Sequence, residues 1–224
     1  MMRSPGSQRG KTSAHVTCLF VDIGGVLLTN GWDHRARWRA AQHFALQIAE
    51  MQDRHHLIFA TYEIGKITLD AYLDQVVFHC KRPFTRAQFR TFMFAQSLPF
   101  PEMLQLVARL KAKHSLKVIA VSNEGRELNA YRIRKFQLTE IIDGFISSCF
   151  VGISKPDAEL FRYALDFAQV MPSQVVYLEN TAMFVQIAES LGIRSVLHTE
   201  IESTRAQLAA YGLRDDDRIS HETR

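Results

Sequence analysis

Cysteine is scarce in this 224-residue sequence: Cys18, Cys80 and Cys149 are the whole supply, odd in number and widely spaced. No Cys-x-x-Cys occurs, so zinc and dithiol redox motifs have no support. A reducing compartment suits such a chain best, and a cytoplasmic location is expected. Six prolines and eleven glycines are too few for a low-complexity or collagen-like chain. No apolar run reaches the roughly 18 residues that would suggest a membrane span. The stretch VTCLFVDIGGVLL after a basic start imitates a secretion signal, but Asp22 interrupts it and no small-residue cleavage pattern follows.

Excess charge is also modest. Against 27 Lys and Arg stand 23 Asp and Glu, a net +4. Residues 1–15 hold Arg3, Arg9 and Lys11 and no acid, which leaves a net +1 for the rest. A nucleic-acid footprint needs its basic residues gathered on a folded face, so no nucleic-acid partner is expected. We read 1–15 as a flexible basic tail and 214–224 as a frayed C-terminus. What remains is ordinary globular composition, with 47% hydrophobic residues.

Five short apolar runs read as buried parallel strands: Val16–Val21, Leu116–Val121, Phe145–Phe150, Val175–Leu178 and Arg194–His198. Between them, apolar residues recur at helical spacing, as in Met103, Leu106, Val107 and Leu110. The alternation predicts an α/β fold, a Rossmann-like doubly wound parallel sheet of about five strands. From 31 to 99 no strand is evident. Trp38, Ala41, Ala45 and Ile48 suggest one helix there, and Leu69, Tyr72, Leu73 and Val76 another. The expected organisation is a core of 16–30 plus 100–213 with an inserted α-helical cap at 31–99, re-entered through Leu98-Pro-Phe-Pro101.

Ligands in open α/β sheets bind at the carboxyl ends of the strands. Those ends carry Asp22-Ile23-Gly24-Gly25, Ser122-Asn123-Glu124, Ser154-Lys155-Pro156 and Glu179-Asn180. This set suits phosphoryl chemistry. Asp22 can attack phosphorus, glycines let backbone N–H groups approach the phosphate, Ser122 can bind its oxygens and Lys155 can offset the charge. Each residue also has a plainer reading: Asp22 as a turn acid, Ser122 as a helix cap, Lys155 as a solvated lysine, Glu179-Asn180 as a turn.

VDIGGVL, VSN, SKP and VVYLEN, in that order, resemble the four motifs of the haloacid dehalogenase-like hydrolase superfamily, specifically its capped phosphatases with an Asp-x-Gly-Gly first motif. The resemblance implies a Mg²⁺-dependent phosphatase of a small phosphorylated metabolite, working through an aspartyl-phosphate on Asp22. Catalytic roles would fall to Asp22, Ser122 and Lys155. Phosphate would be bound by Ile23, Gly24, Ser122, Asn123 and Lys155, and the metal by Asp22, Gly24, Glu179 and Asn180. Glu63 and Trp32 would face the substrate from the cap. The sequence departs from the family where a second acid usually stands (Gly24) and where paired Asp residues usually stand (Glu179-Asn180). Those departures leave two alternatives: a catalytically impaired phosphate-binding or regulatory protein, and a metal-independent dehalogenase-type hydrolase. No membrane partner is expected, and a homodimer stays open.

Overall fold

The computed structural model describes residues 15–215, so the expected tails lie almost wholly outside the described residues. The first apolar run forms β1 (Cys18–Val21), and the others give β2 (Lys117–Ser122), β3 (Gly144–Ser147), β4 (Val175–Glu179) and β5 (Arg194–Leu197). All pair in parallel in the order β3-β2-β1-β4-β5. Chain order reverses beside β1, so β1, β2 and β4 meet at the switch point where such sheets bind ligands.

Strand period 2 divides the sheet residues between two cores. Leu19, Val21, Val118, Ala120, Val176 and Leu178 pack with Met103, Leu106, Val107 and Leu110 of α5 (Pro101–His114). On the same face lie Ile133 of α6 (Arg126–Lys135) and Leu208 of α10 (Ile201–Ala210). Cys18, Phe20, Ile119, Val121, Val175 and Tyr177 pack with Leu160, Phe161 and Ala164 of α8 (Glu159–Ala168) and Ala188 of α9 (Ala182–Ser190). Both faces of every central strand are thus covered, which is why the runs read as continuously apolar.

Between β1 and α5 the chain forms α1 (His34–His43), α2 (Ile48–Glu63), α3 (Leu69–Val76) and α4 (Arg86–Ala95). These helices share their own core, built on Trp32, Met51, Tyr62, Tyr72, Leu73, Phe89 and Met93, with Leu128 of α6 packed in. Caps set their starts: Asp33 Oδ1 accepts from Ala36 N at 2.8 Å, Thr68 caps α3, and Thr85 with Gln88 forms a capping box on α4.

The helix expected across Trp38 to Ile48 is instead two. Ala45 takes a left-handed φ of 52°, ending the turn after α1, and Trp38 stays 48% exposed while Ala36, Arg37, Ala40 and Ala41 are buried. The third strand stops at Ser147, and Ser148–Val151 coil into a short helix, α7. The Ser148 hydroxyl holds that turn by donating to the Glu63 carbonyl at 2.7 Å.

The chain passes between the sheet and the four helices twice, side by side. Thr29 N donates to Leu98 O and Phe100 N to Leu27 O, with an antiparallel bridge between Leu28 and Pro99. Arg132 of α6, fully buried, fastens both crossings: it donates to the Thr29 carbonyl and to Ser97 Oγ, and forms an ion pair with Glu124.

Candidate active site

A cavity of about 480 Å³ opens where the carboxyl ends of β1, β2 and β4 face the helices. Asp22, Gly24, Asn123, Glu124, Lys155 and Asn180 line it from the sheet side, and Trp32, Asp33, His34, Arg37, Phe59, Tyr62 and Glu63 from the helical side.

Lys155 organises the floor. Its Nζ, buried, donates to Asp22 Oδ1 at 3.0 Å, Glu179 Oε2 at 2.7 Å, Tyr177 Oη at 3.0 Å and the Val121 carbonyl at 3.1 Å. Burial alone works against the ammonium, but the two carboxylates outweigh it and raise the Lys155 pKa. Burial also pushes the Asp22 carboxyl up; Lys155 opposes this and Glu179 adds to it. The Ser122 hydroxyl lies against Asp22 and stabilises its charge, yet finds no partner in good hydrogen-bond geometry. A buried hydroxyl left so is suited to receive an oxygen of a bound anion.

Glu179 departs from its expected metal-side role. It is fully buried behind the cavity wall. Its Oε2 accepts from Lys155 and Tyr177, and its Oε1 from the backbone N–H groups of Asn180 and Thr181, both at 2.9 Å. It is the counter-ion of Lys155. Asn123 also differs from expectation: its amide is spent on the Lys155 backbone, donating to O at 2.9 Å and accepting from N at 2.8 Å, so its side chain positions Lys155 and does not offer itself to phosphate. Ile23 packs wholly in the core, leaving only its backbone for an anion. Gly25 N is taken by the Leu28 carbonyl. Trp32 lies in the cavity wall, with Nε1 donating to Tyr72 Oη at 2.9 Å.

Among the described residues no cluster of three or more His, Cys, Asp or Glu side chains could hold a metal. The oxygens that could are the Asp22 carboxylate, the Gly24 carbonyl and the Asn180 amide. That amide lies 2.9 Å from Glu179 Oε1 and 3.3 Å from the Gly24 carbonyl. With its nitrogen turned toward them it donates to both. One carboxylate and two neutral oxygens are donors that a hard cation accepts, and with a single formal charge among them they would hold it weakly.

Glu63, at the end of α2, is the cavity carboxyl with the least company. Asn123 Nδ2 donates to it at 3.3 Å. Burial, and then the negative charge of Glu124, push its pKa up to about 7, while Lys155 pulls the other way. Asp33 is occupied as a cap, Glu124 with Arg132 and Glu179 with Lys155.

Sequence reading missed Tyr177, Arg37 and the Glu124–Arg132 pair. A signal existed for Tyr177, which stands two residues before Glu179 on one strand and so on the same face. For Arg37 and Arg132 there was none, because their partners come from distant elements.

Four strand-end motifs around one cavity on a doubly wound sheet define a hydrolase of the haloacid dehalogenase type. The sequence matches the haloacid dehalogenase-like hydrolase family over residues 16–192, and the chain belongs to it. The drimenol cyclase drtB of Aspergillus calidoustus is 28% identical over 200 residues, 86% of this chain but 36% of that protein. The bifunctional epoxide hydrolase 2 of Rattus norvegicus is 29% identical over 121 residues, 52% of this chain and 21% of that protein. The chain thus matches about a third or less of the length of these two relatives. Among solved structures, a HAD family enzyme of Bacteroides thetaiotaomicron in complex with magnesium and inorganic phosphate superposes with a TM-score of 0.70 at 19% identity, covering 82% of this chain and 94% of that one. The L-2-haloacid dehalogenase PA0810 gives 0.60 at 17% identity, covering 86% of each chain.

Proposed function

We propose that this chain is a phosphoric monoester hydrolase acting on a small phosphorylated metabolite through an aspartyl-phosphate on Asp22, with Mg²⁺ as cofactor. The observation that carries this reading is the Asp22–Lys155 pair on the cavity floor, with the Ser122 hydroxyl against Asp22. An Asp22 oxygen forms the new bond to phosphorus as the ester P–O bond breaks, and water later releases phosphate from Asp22. Lys155 keeps Asp22 ionised and offsets charge on the phosphoryl oxygens. Asp22, the Gly24 carbonyl and the Asn180 amide would hold the cation, which supplies positive charge against the phosphoryl oxygens when bound. Glu63 takes the proton-transfer role that Gly24 cannot: it gives its proton to the leaving alkoxide and takes one back from the attacking water. A pKa about 7 suits both tasks near neutral pH. The four-helix segment closes the site over the substrate and excludes water.

The test is release of inorganic phosphate from a panel of phosphate esters, with and without Mg²⁺, beside an Asp22→Asn variant of unchanged melting temperature. Phosphate release that Asp22→Asn does not reduce at least a hundredfold would overturn the reading.

One observation favours a second reading, a metal-independent dehalogenase-type hydrolase: the Asn180 nitrogen can satisfy both Glu179 and Gly24 without a cation. Release of halide from 2-haloacids that persists in excess chelator would select it. A chain with neither activity would be the phosphate-binding form.

A further inference from the structure

Arg37 stands on the helical wall of the same cavity and is almost wholly buried, 6% exposed. Both of its side-chain hydrogen bonds go to neutral acceptors. Its Nε donates to Gln52 Oε1 at 2.9 Å, and one Nη1–H donates to the Trp32 carbonyl at 2.6 Å. Gln52 is itself fixed by His34 Nδ1 at 2.8 Å, so the arginine is aimed by α2 and held rigidly. A guanidinium has about five N–H groups; two are used by these acceptors, and the residue lines the cavity.

No carboxylate among the described residues forms an ion pair with Arg37, whereas the other two buried cations near the cavity, Lys155 and Arg132, each do. Asp33, whose side chain caps α1, attracts Arg37 through space without forming an ion pair with it. A buried charge without an ion-pair partner is costly to hold, and a ligand of opposite charge would offset that cost. Its remaining N–H groups suit a planar two-oxygen anion, which a guanidinium binds through parallel hydrogen bonds. The helical wall also carries Trp32, Phe59 and Met93 beside Asp33 and His34, a mostly apolar lining that suits an anion of single charge.

We propose that Arg37 forms a second anion subsite in this cavity, and that it receives a carboxylate carried on the organic part of the substrate. The preferred substrate is then a short phosphate monoester of a hydroxy acid, with phosphate at Asp22 and carboxylate at Arg37. This second statement rests on the phosphatase reading; the subsite itself does not.

The experiment compares a phosphorylated hydroxy acid with its uncharged amide, for the wild type, Arg37→Lys and Arg37→Met, at fixed pH with Mg²⁺. The wild type should favour the acid in kcat/KM, chiefly through KM. Arg37→Met should reduce that preference about tenfold or more, the scale of a lost charged hydrogen bond. Arg37→Lys, which keeps the charge and loses the fork, should fall between. Equal losses on both substrates would assign Arg37 a structural role only. A preference for a bisphosphate over the phosphorylated acid would also overturn the carboxylate assignment. If neither substrate releases phosphate, the phosphatase reading fails, and the subsite is judged separately by calorimetric titration with succinate. Binding that Arg37→Lys weakens supports the subsite; no binding to the wild type overturns it. If Arg37→Met does not fold, the wild-type acid-to-amide ratio and the Arg37→Lys variant decide.

Discussion

Two side chains govern how the site responds to change at the residue scale. Lys155 neutralises two carboxylates out of water, so Lys155→Met leaves Asp22 and Glu179 facing each other unpaired. Removing one partner of a buried ion pair costs about 3–5 kcal/mol, and urea unfolding of Lys155→Met should show a loss of that size together with loss of activity. Glu63 behaves differently. Its folded pKa is raised from 4.5 to about 7, so across that window the folded state binds more protons than the unfolded chain. The Glu63 contribution to stability is therefore fully present at low pH and is lost as pH rises from about 4.5 to about 7. Glu63→Gln should remove that slope from stability measured against pH. It should also lower kcat by about 10²–10⁴-fold for substrates with poor leaving groups, and far less for nitrophenyl phosphate. An equal loss on both classes would count against proton transfer by Glu63.

At the scale of the element, the placement of Glu63 depends on how α2 ends. Gly65 has φ +75°, and a Cβ there would stand 2.3 Å from the Cys149 carbonyl oxygen, a contact with backbone that cannot yield. Gly65→Ala should cost more than about 1 kcal/mol and shift Glu63 from Asn123, so its activity should fall further than its melting temperature suggests. Thr85→Ala, far from the cavity, gives the contrast. Losing the α4 capping box should cost about 1 kcal/mol by denaturant unfolding and leave kcat unchanged. The elements were legible in the sequence where burial is two-sided. VTCLFV and VVYL read as strands because both faces are covered, and Asp22 stood out because it ends such a run. The α1–α2 boundary was not legible. HRARWRAAQH has no apolar stripe, and its buried face contains an arginine whose partner, Gln52, comes from another helix. The roles of Glu179 and Asn123 were hidden for the same reason: the residues that occupy them, Tyr177 and Lys155, meet them only through the folded sheet.

Across the whole molecule, the sheet and the four helices share the cavity and are joined by a double crossing. No helix among the described residues is long and apolar enough to span a membrane. Arg132 fixes that crossing and at the same time neutralises Glu124, whose carboxyl burial pushes up and Arg132 pulls back. Arg132→Met should strand Glu124 and cost about 3–5 kcal/mol. Because the arginine touches both passages of the chain, loss of cooperativity should appear as separate transitions by fluorescence and circular dichroism. A single coincident transition would show that apolar packing alone couples the two parts. The same residue constrains anyone who would graft a different helical unit onto this sheet. Ser97 belongs to the transplanted piece, so a replacement without a hydroxyl at the return point would entomb a guanidinium one hydrogen bond short. Engineered exchanges of this region should begin by matching that one oxygen.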